Sequence, residues 1–133
     1  MTIDHEVTLP DGQPVLRVMP MPADVNPSGD IFGGWVMAQL DIAGAVAAMK
    51  RAKGRVATVA VNAIQFKQPV SVGDLLSFFA EVVSVGRTSI SVAVSVFAER
   101  DPTAPKVVKV TEAVLTYVAL AQDGHKRNVP EAD

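Results

Sequence analysis

The chain has 133 residues and a mass of 14.0 kDa, enough for one domain with a single core. It is 49% hydrophobic and 20% charged, with mean hydropathy +0.28 and formal charge −2, which offers no broad attraction to nucleic acid or an anionic membrane and predicts apolar surface buried against another subunit. There is no cysteine, so disulfides, thiolate metal sites and a cysteine nucleophile are excluded together.

The opening MTIDHEVTLPDG has no basic stretch followed by an apolar run, so it does not read as a signal peptide, and the cytoplasm is the expected compartment. Residues 1–12 are expected to form a loose or edge segment ending in a Pro-Asp-Gly turn. Residues 13–21, QPVLRVMPM, make a short strand candidate that Pro14 and Pro20 push towards a sheet edge. The following MPADVNPSGD is loop chemistry throughout. A helix is predicted to start between Ile31 and Gly34 and to run to about Lys53. Lys50, Arg51 and Lys53 complement its dipole at the C-terminal end, where Gly54 stops it. The stretch is long enough to span a membrane, but it contains Gly33, Gly34, Gln39, Asp41 and Gly44. A central Asp alone costs roughly 2.5–3.5 kcal/mol on insertion scales, so a buried helix in water is predicted instead.

After Gly54 the pattern changes to strands. Residues 55–66, RVATVAVNAIQF, are rich in β-branched side chains and are closed by the turn sequence KQPVSVGD. Residues 75–86 and 88–97 alternate; in the second, Ile90, Val92, Val94 and Val96 share one face. Residues 106–120 form a last long strand whose alternation breaks near Glu112, as a bulge would break it. The tail from 121 to 133, AQDGHKRNVPEAD, is polar and expected to fray. One early helix followed by four long strands with short connections is an α+β pattern with an antiparallel sheet, read as a single domain over 1–133. The helix is apolar on more than one stripe. A curved sheet wrapped around it, with a second subunit on the far side, satisfies that pattern, which is the layout of a hot-dog fold.

Elimination narrows the chemistry. There is no Gly-x-Ser-x-Gly elbow, and the two histidines, His5 and His125, lie in the terminal segments, so a Ser-His-Asp triad or a His-rich metal site has little to work with. Asp41 stands out as the one charged residue between Asp30 and Lys50. It reads either as a satisfied ion pair or polar notch on an otherwise covered helix, or as a carboxylate poised in an apolar cleft. Gly33 and Gly34 serve close packing, or they present free N–H groups at a helix start to developing negative charge. They precede Asp41 by eight and seven residues, roughly 10–12 Å along a helix axis. One carbonyl cannot touch both on a single helix. If both serve one reaction, the donors of one subunit must face the Asp of another, which requires at least a dimer.

The run N-P-S-G-D-I-F-G-G-W-V-M-A-Q-L-D-I-A-G-A closely resembles the corresponding segment of YciA-type acyl-CoA thioesterases, hot-dog hydrolases. R-V-A-T-V-A-V-N-A-I-Q-F-K-Q-P-V, G-R-T-S-I-S-V and K-V-T-E-A-V-L-T-Y-V-A are similar to that family's strands in the same order, so the likeness covers about residues 15–120. It implies hydrolysis of acyl-CoA to a fatty acid and CoA, with no metal or organic cofactor. Asp41 would be the catalytic carboxylate, as base or nucleophile, with Asn26 its partner from the neighbouring subunit. The amides at Gly33 and Gly34 would polarise the thioester carbonyl. A trimer of dimers with CoA lying across subunit boundaries is the implied assembly. CoA's phosphates need basic and hydroxyl partners, for which Lys67, Arg87, Thr88, Ser89, Lys126 and Arg127 are the candidates. The chain departs from the family at Asn62, where a glutamate is common, and at Lys67-Gln68. A hot-dog dehydratase acting on 3-hydroxyacyl thioesters is the nearest rival, weakened by the lack of a His in the body of the chain. A non-catalytic acyl-CoA binding module is the other; it would share the cleft but need no carboxylate at the carbonyl.

Overall fold

The structure, a computed structural model, describes residues 6–101 and 103–133, so His5 lies outside it. In chain order the described residues form β1 (Leu16–Val18), a single 3-10 turn at Pro22–Asp24, α1 (Gly33–Ala52), β2 (Val56–Phe66), β3 (Leu75–Val85), β4 (Ser89–Arg100) and β5 (Lys106–Ala119). All strand pairs are antiparallel, in the order β1-β3-β4-β5-β2. The sheet wraps one side of α1. Alternation selects the packed face: Ile90, Val92, Val94 and Val96 of β4 are buried, and in register with them stand Tyr117, Leu115, Ala113 and Thr111 of β5. Leu76 and Phe78 of β3 join them. The helix answers with Val36, Leu40, Ala43, Ala48 and Ala52, mostly small residues that let its axis lie close to the sheet. Each large side chain buried there stabilises the fold by about 1.5–3 kcal/mol relative to exposure.

The strand expected over 13–21 is shorter. Only Leu16–Val18 pairs, with Leu16 opposite Phe78, because prolines at 14 and 20 cannot donate to a ladder. The helix ends where expected, but Lys53 rather than Gly54 adopts the left-handed conformation, with φ 55° and ψ 43°; the N–H of Gly54 returns to the Met49 carbonyl at 3.2 Å. The irregularity in β5 lies just before Glu112. The pairing shifts between Val96, opposite Thr111, and Phe97, opposite Lys109, so Val110 is the extra residue and is buried with Val108 and Thr111.

The tail is not frayed. Leu120 bridges Lys126, the Arg127 N–H donates to Ala119 and the Val129 N–H donates to Arg87, which carries the chain back beside the β3–β4 turn as far as residue 130. Polarity alone misreads this segment because it is held by main-chain hydrogen bonds and by arginines placed on main-chain carbonyls, Arg127 on Ala52 and Arg51 on Pro130, none of which composition reports. At the other terminus Glu6 bridges Val108 and the Val7 N–H donates to Val107, the edge alternative of the loose or edge segment expected over 1–12.

Two edges remain. β1 is three residues long; β2 is eleven, carries no charge and no proline, and exposes Val59, Val61 and Phe66. A long apolar edge of that kind is a template for pairing with another chain.

Candidate active site

Asp41 sits in the third turn of α1, half-buried, on the face that meets β2 and β5. Two hydroxyls meet it. Thr58 Oγ1 donates to Asp41 Oδ1 at 2.6 Å, and Tyr117 Oη lies 2.9 Å from the Asp41 carbonyl oxygen and 3.2 Å from Oδ1. Thr58 and Tyr117 are cross-strand partners of β2 and β5, so they project from one face of the sheet towards the same point on the helix. The β2–β5 register shifts immediately after Thr58, a bulge that takes Val59 outward to 54% exposure while Thr58 stays aimed at the helix. Among the described residues Asp41 has no salt bridge, so the satisfied-ion-pair reading of this carboxylate does not hold.

Tyr117 is fully buried. Burial first, and then the negative charge and hydrogen bond of Asp41, push its phenol well above its ordinary range. The sign of the linkage follows: the unfolded chain releases this proton near pH 10 and the folded chain keeps it, so the contribution is complete below about pH 10 and is lost as pH rises further. Denaturant melts between pH 9 and 12 are expected to show wild type losing stability more steeply above about pH 10 than Tyr117→Phe. Parallel curves would overturn this.

The loop before α1 is organised by Asn26. Its side-chain Oδ1 accepts the N–H groups of Ser28 at 2.8 Å and Asp30 at 3.2 Å, while its own N–H donates to the Asp30 carbonyl at 2.7 Å. Gly29, at φ +89°, supplies the left-handed corner this needs. With the amide oxygen engaged in the loop, the group Asn26 offers outward is its NH2 donor. The helix starts without a side-chain cap, and among the described residues the N–H groups of Gly33 and Gly34 have no acceptor. Gly33 is where it is for packing: a Cβ there would come within 3.3 Å of the Phe66 ring. Gly34 faces open space.

Asn26, Asp30, Gly33, Phe66, Lys67 and Gln68 line one cleft of about 320 Å³. The structure thus brings together three of the expected site residues: Asn26, Gly33 and Lys67. Lys67 is held by Glu112 at 3.3 Å and Gln65 at 3.4 Å; the hydrogen bond from Lys109, and after it the hydrogen bond and charge of Lys67, keep Glu112 below the usual carboxylate range. Arg87, Thr88, Ser89, Lys126 and Arg127 gather at the opposite end of α1, because the tail crosses the β3–β4 turn there. Arg87 and Lys126 are exposed. Arg127 is half-buried and has its guanidinium on main-chain carbonyls, those of Leu120 at 2.9 Å and of Ala52, in the last turn of α1, at 2.8 Å. A 20-residue helix is about 30 Å long, so within one protomer the two groups of candidates do not share a cleft. Nor does Asp41 line the Asn26–Gly33 cleft. The sequence reading missed Thr58 and Tyr117; the available signal was that Tyr117, the only tyrosine, has the same parity along β5 as Ala113 and Leu115. No group of three His, Asp or Glu side chains gathers among the described residues to hold a metal, and no helix there is long and apolar enough to cross a membrane.

One long helix cradled by a single antiparallel sheet, with a half-buried carboxylate in the middle of that helix, is the architecture of a hotdog fold. Comparison with known proteins is more specific. A sequence profile described as the thioesterase superfamily matches residues 28–104. The acyl-CoA thioester hydrolase YciA of Escherichia coli strain K12 is 44% identical over 132 residues, 98% of each chain. That of Salmonella typhimurium is 46% identical over 123 residues, 91% of this chain and 92% of the relative. A hexameric hotdog fold thioesterase of Campylobacter jejuni superposes with a TM-score of 0.86 at 45% identity, over 90% of this chain and 91% of that one. An acyl-CoA hydrolase from Staphylococcus aureus, solved with butyryl coenzyme A, gives 0.80 at 32% identity, over 89% and 74%. The chain belongs to the thioesterase superfamily, among the YciA-type acyl-CoA thioester hydrolases.

Proposed function

We propose that this protein hydrolyses acyl-CoA thioesters to a carboxylic acid and CoA, in the cytoplasm, at sites shared between two copies of the chain. The observation that carries the reading is Asp41: a carboxylate held by hydroxyls on one oxygen only, beside an uncharged edge strand. Pairing of β2 with β2 of a second copy across a two-fold axis would satisfy that edge. With the axis near the middle of the strand, at Val61, antiparallel register sets Thr58 opposite the partner's Ile64 and Val56 opposite the partner's Phe66. Thr58 carries Asp41, and Phe66 packs on Gly33. The carboxylate of one copy therefore approaches the helix start and the Asn26 loop of the other. The same pairing brings the basic end of α1 near the partner's Lys67, a span suited to the phosphates of CoA. Lys67, Arg87, Thr88, Ser89 and Lys126 are the proposed contacts there, with Arg127 holding the tail that presents Lys126. The assembly proposed is a trimer of such dimers, like the hexamer described for the Campylobacter jejuni relative.

In the reaction the thioester carbonyl oxygen takes the Gly34 N–H, with Gly33 beside it at the positive end of the helix dipole, where negative charge develops. One such donor is commonly worth about 3–4 kcal/mol in the transition state. Asp41 either removes a proton from the attacking water or attacks the carbonyl itself, giving an anhydride that water cleaves; in both cases CoA leaves as the thiol. The Asn26 NH2 orients the water or the carboxylate. A panel from acetyl-CoA to palmitoyl-CoA, read with a thiol reagent, tests the activity: free thiol released in proportion to enzyme is expected, and tight binding without release would replace the hydrolase by a binding module.

A further inference from the structure

Asp41 has two carboxylate oxygens, and the surrounding hydroxyls treat them differently. Thr58 and Tyr117 both reach Oδ1, and among the described residues no donor reaches Oδ2. Tyr117 does something Thr58 does not: its one hydroxyl bridges Oδ1 and the main-chain carbonyl oxygen of the same residue. A contact that ties a side chain to its own backbone opposes rotation about χ1 as well as tilting of the carboxylate plane. The phenol fits there because residue 44, one turn after Asp41, is glycine. A Cβ on Gly44 would collide with the Tyr117 hydroxyl oxygen and come within 3.1 and 3.2 Å of two ring carbons. Gly44 is buried in mid-helix with nothing to do for a turn, so the space it leaves is its use.

We infer that Tyr117 is a positioning residue for the hydrolysis: seated in the notch of Gly44, its hydroxyl fixes the Asp41 side chain and leaves Oδ2 as the oxygen that meets the water or the thioester carbonyl. The inference rests on the role proposed above for Asp41. It assigns the second hydroxyl at the carboxylate and the glycine behind it to one unit, neither of which touches substrate. The raised phenol keeps its proton throughout the working range, so the contact is a standing one. Reacting groups held loosely lose rate steeply, and a misplacement of about 1 Å is enough for roughly 100-fold.

The test compares wild type, Tyr117→Phe, Gly44→Ala, the double variant and Asp41→Asn on one short-chain acyl-CoA, with kcat and KM measured separately and melting temperature and oligomeric state recorded for each. Tyr117→Phe is expected to lower kcat about 10- to 100-fold with KM within about twofold, at an unchanged oligomeric state. Gly44→Ala, which keeps the phenol but displaces it, is expected to lower kcat in the same direction. The double variant should be little worse than the poorer single one, because both changes remove the same contact. Wild-type kcat in Tyr117→Phe beside an inactive Asp41→Asn would overturn the positioning role and leave the hydrolase reading standing. Fully additive losses, or a fall in kcat that only tracks a collapse of melting temperature or of the oligomer, would likewise overturn it. An active Asp41→Asn would remove the catalytic reading and this inference with it.

Discussion

Asp41→Asn is expected to lower acyl-CoA turnover by about 1,000-fold or more while leaving KM, melting temperature and oligomeric state close to wild type. The surroundings of the residue make this change unusually clean. Asparagine has the same shape, and its amide oxygen is able to accept the hydrogen bonds that Thr58 and Tyr117 now give to Oδ1. The amide nitrogen then takes the place of Oδ2. A group that accepted a proton or attacked a carbonyl becomes a group that only donates, so the chemistry goes and the packing stays. Steady-state kinetics with a thiol reagent, alongside thermal melts and size-exclusion chromatography, are sufficient. Activity within tenfold of wild type would mean that Asp41 is a structural polar group satisfied by two hydroxyls and that another residue carries the reaction.

That outcome bears on how much of this molecule is legible in its sequence. The solitary charge in an apolar helix marks Asp41, and the alternation from Ile90 to Val96 marks the strand that covers that helix. Both are local signals, readable from spacing within ten or twenty residues. The groups that explain Asp41 are not local. Thr58 is 17 residues away and Tyr117 is 76, and their meeting depends on the β2–β5 register and on a bulge directly after Thr58, which no periodicity announces. Asn26 shows the same limit in another form. As a residue type it suggests a turn or a donor, and it is both: the oxygen builds the loop, and the NH2 group is what remains for chemistry. The order of the tail is not legible in composition because main-chain bonds to Ala119 and Arg87 hold it together with the Arg127 guanidinium, which by residue type reads as a surface cation but sits on the carbonyls of Leu120 and Ala52. Composition reports what a side chain prefers; register decides what it meets.

The composite site makes the second large prediction. If Asp41 of one copy works with Asn26 and the Gly34 amide of another, two inactive chains should restore each other. Asn26→Asp is the appropriate companion to Asp41→Asn: its carboxylate still accepts the Ser28 and Asp30 amides, so the loop that leads into α1 keeps its form, but the NH2 donor is gone. Each variant alone is expected to be nearly inactive. When they are co-expressed, or unfolded and refolded together, half of the pairs formed across β2 are mixed. Each mixed pair has one site with both defects and one with neither. Random mixing therefore predicts about a quarter of wild-type activity per subunit, with KM near the wild-type value because the restored sites are unaltered. The competing geometry, a site complete within one chain, predicts no recovery at any mixing ratio, since every chain carries a defect. The placement of Asp41 outside the Asn26–Gly33 cleft of its own chain, with an uncharged eleven-residue edge between the two, favours the first outcome.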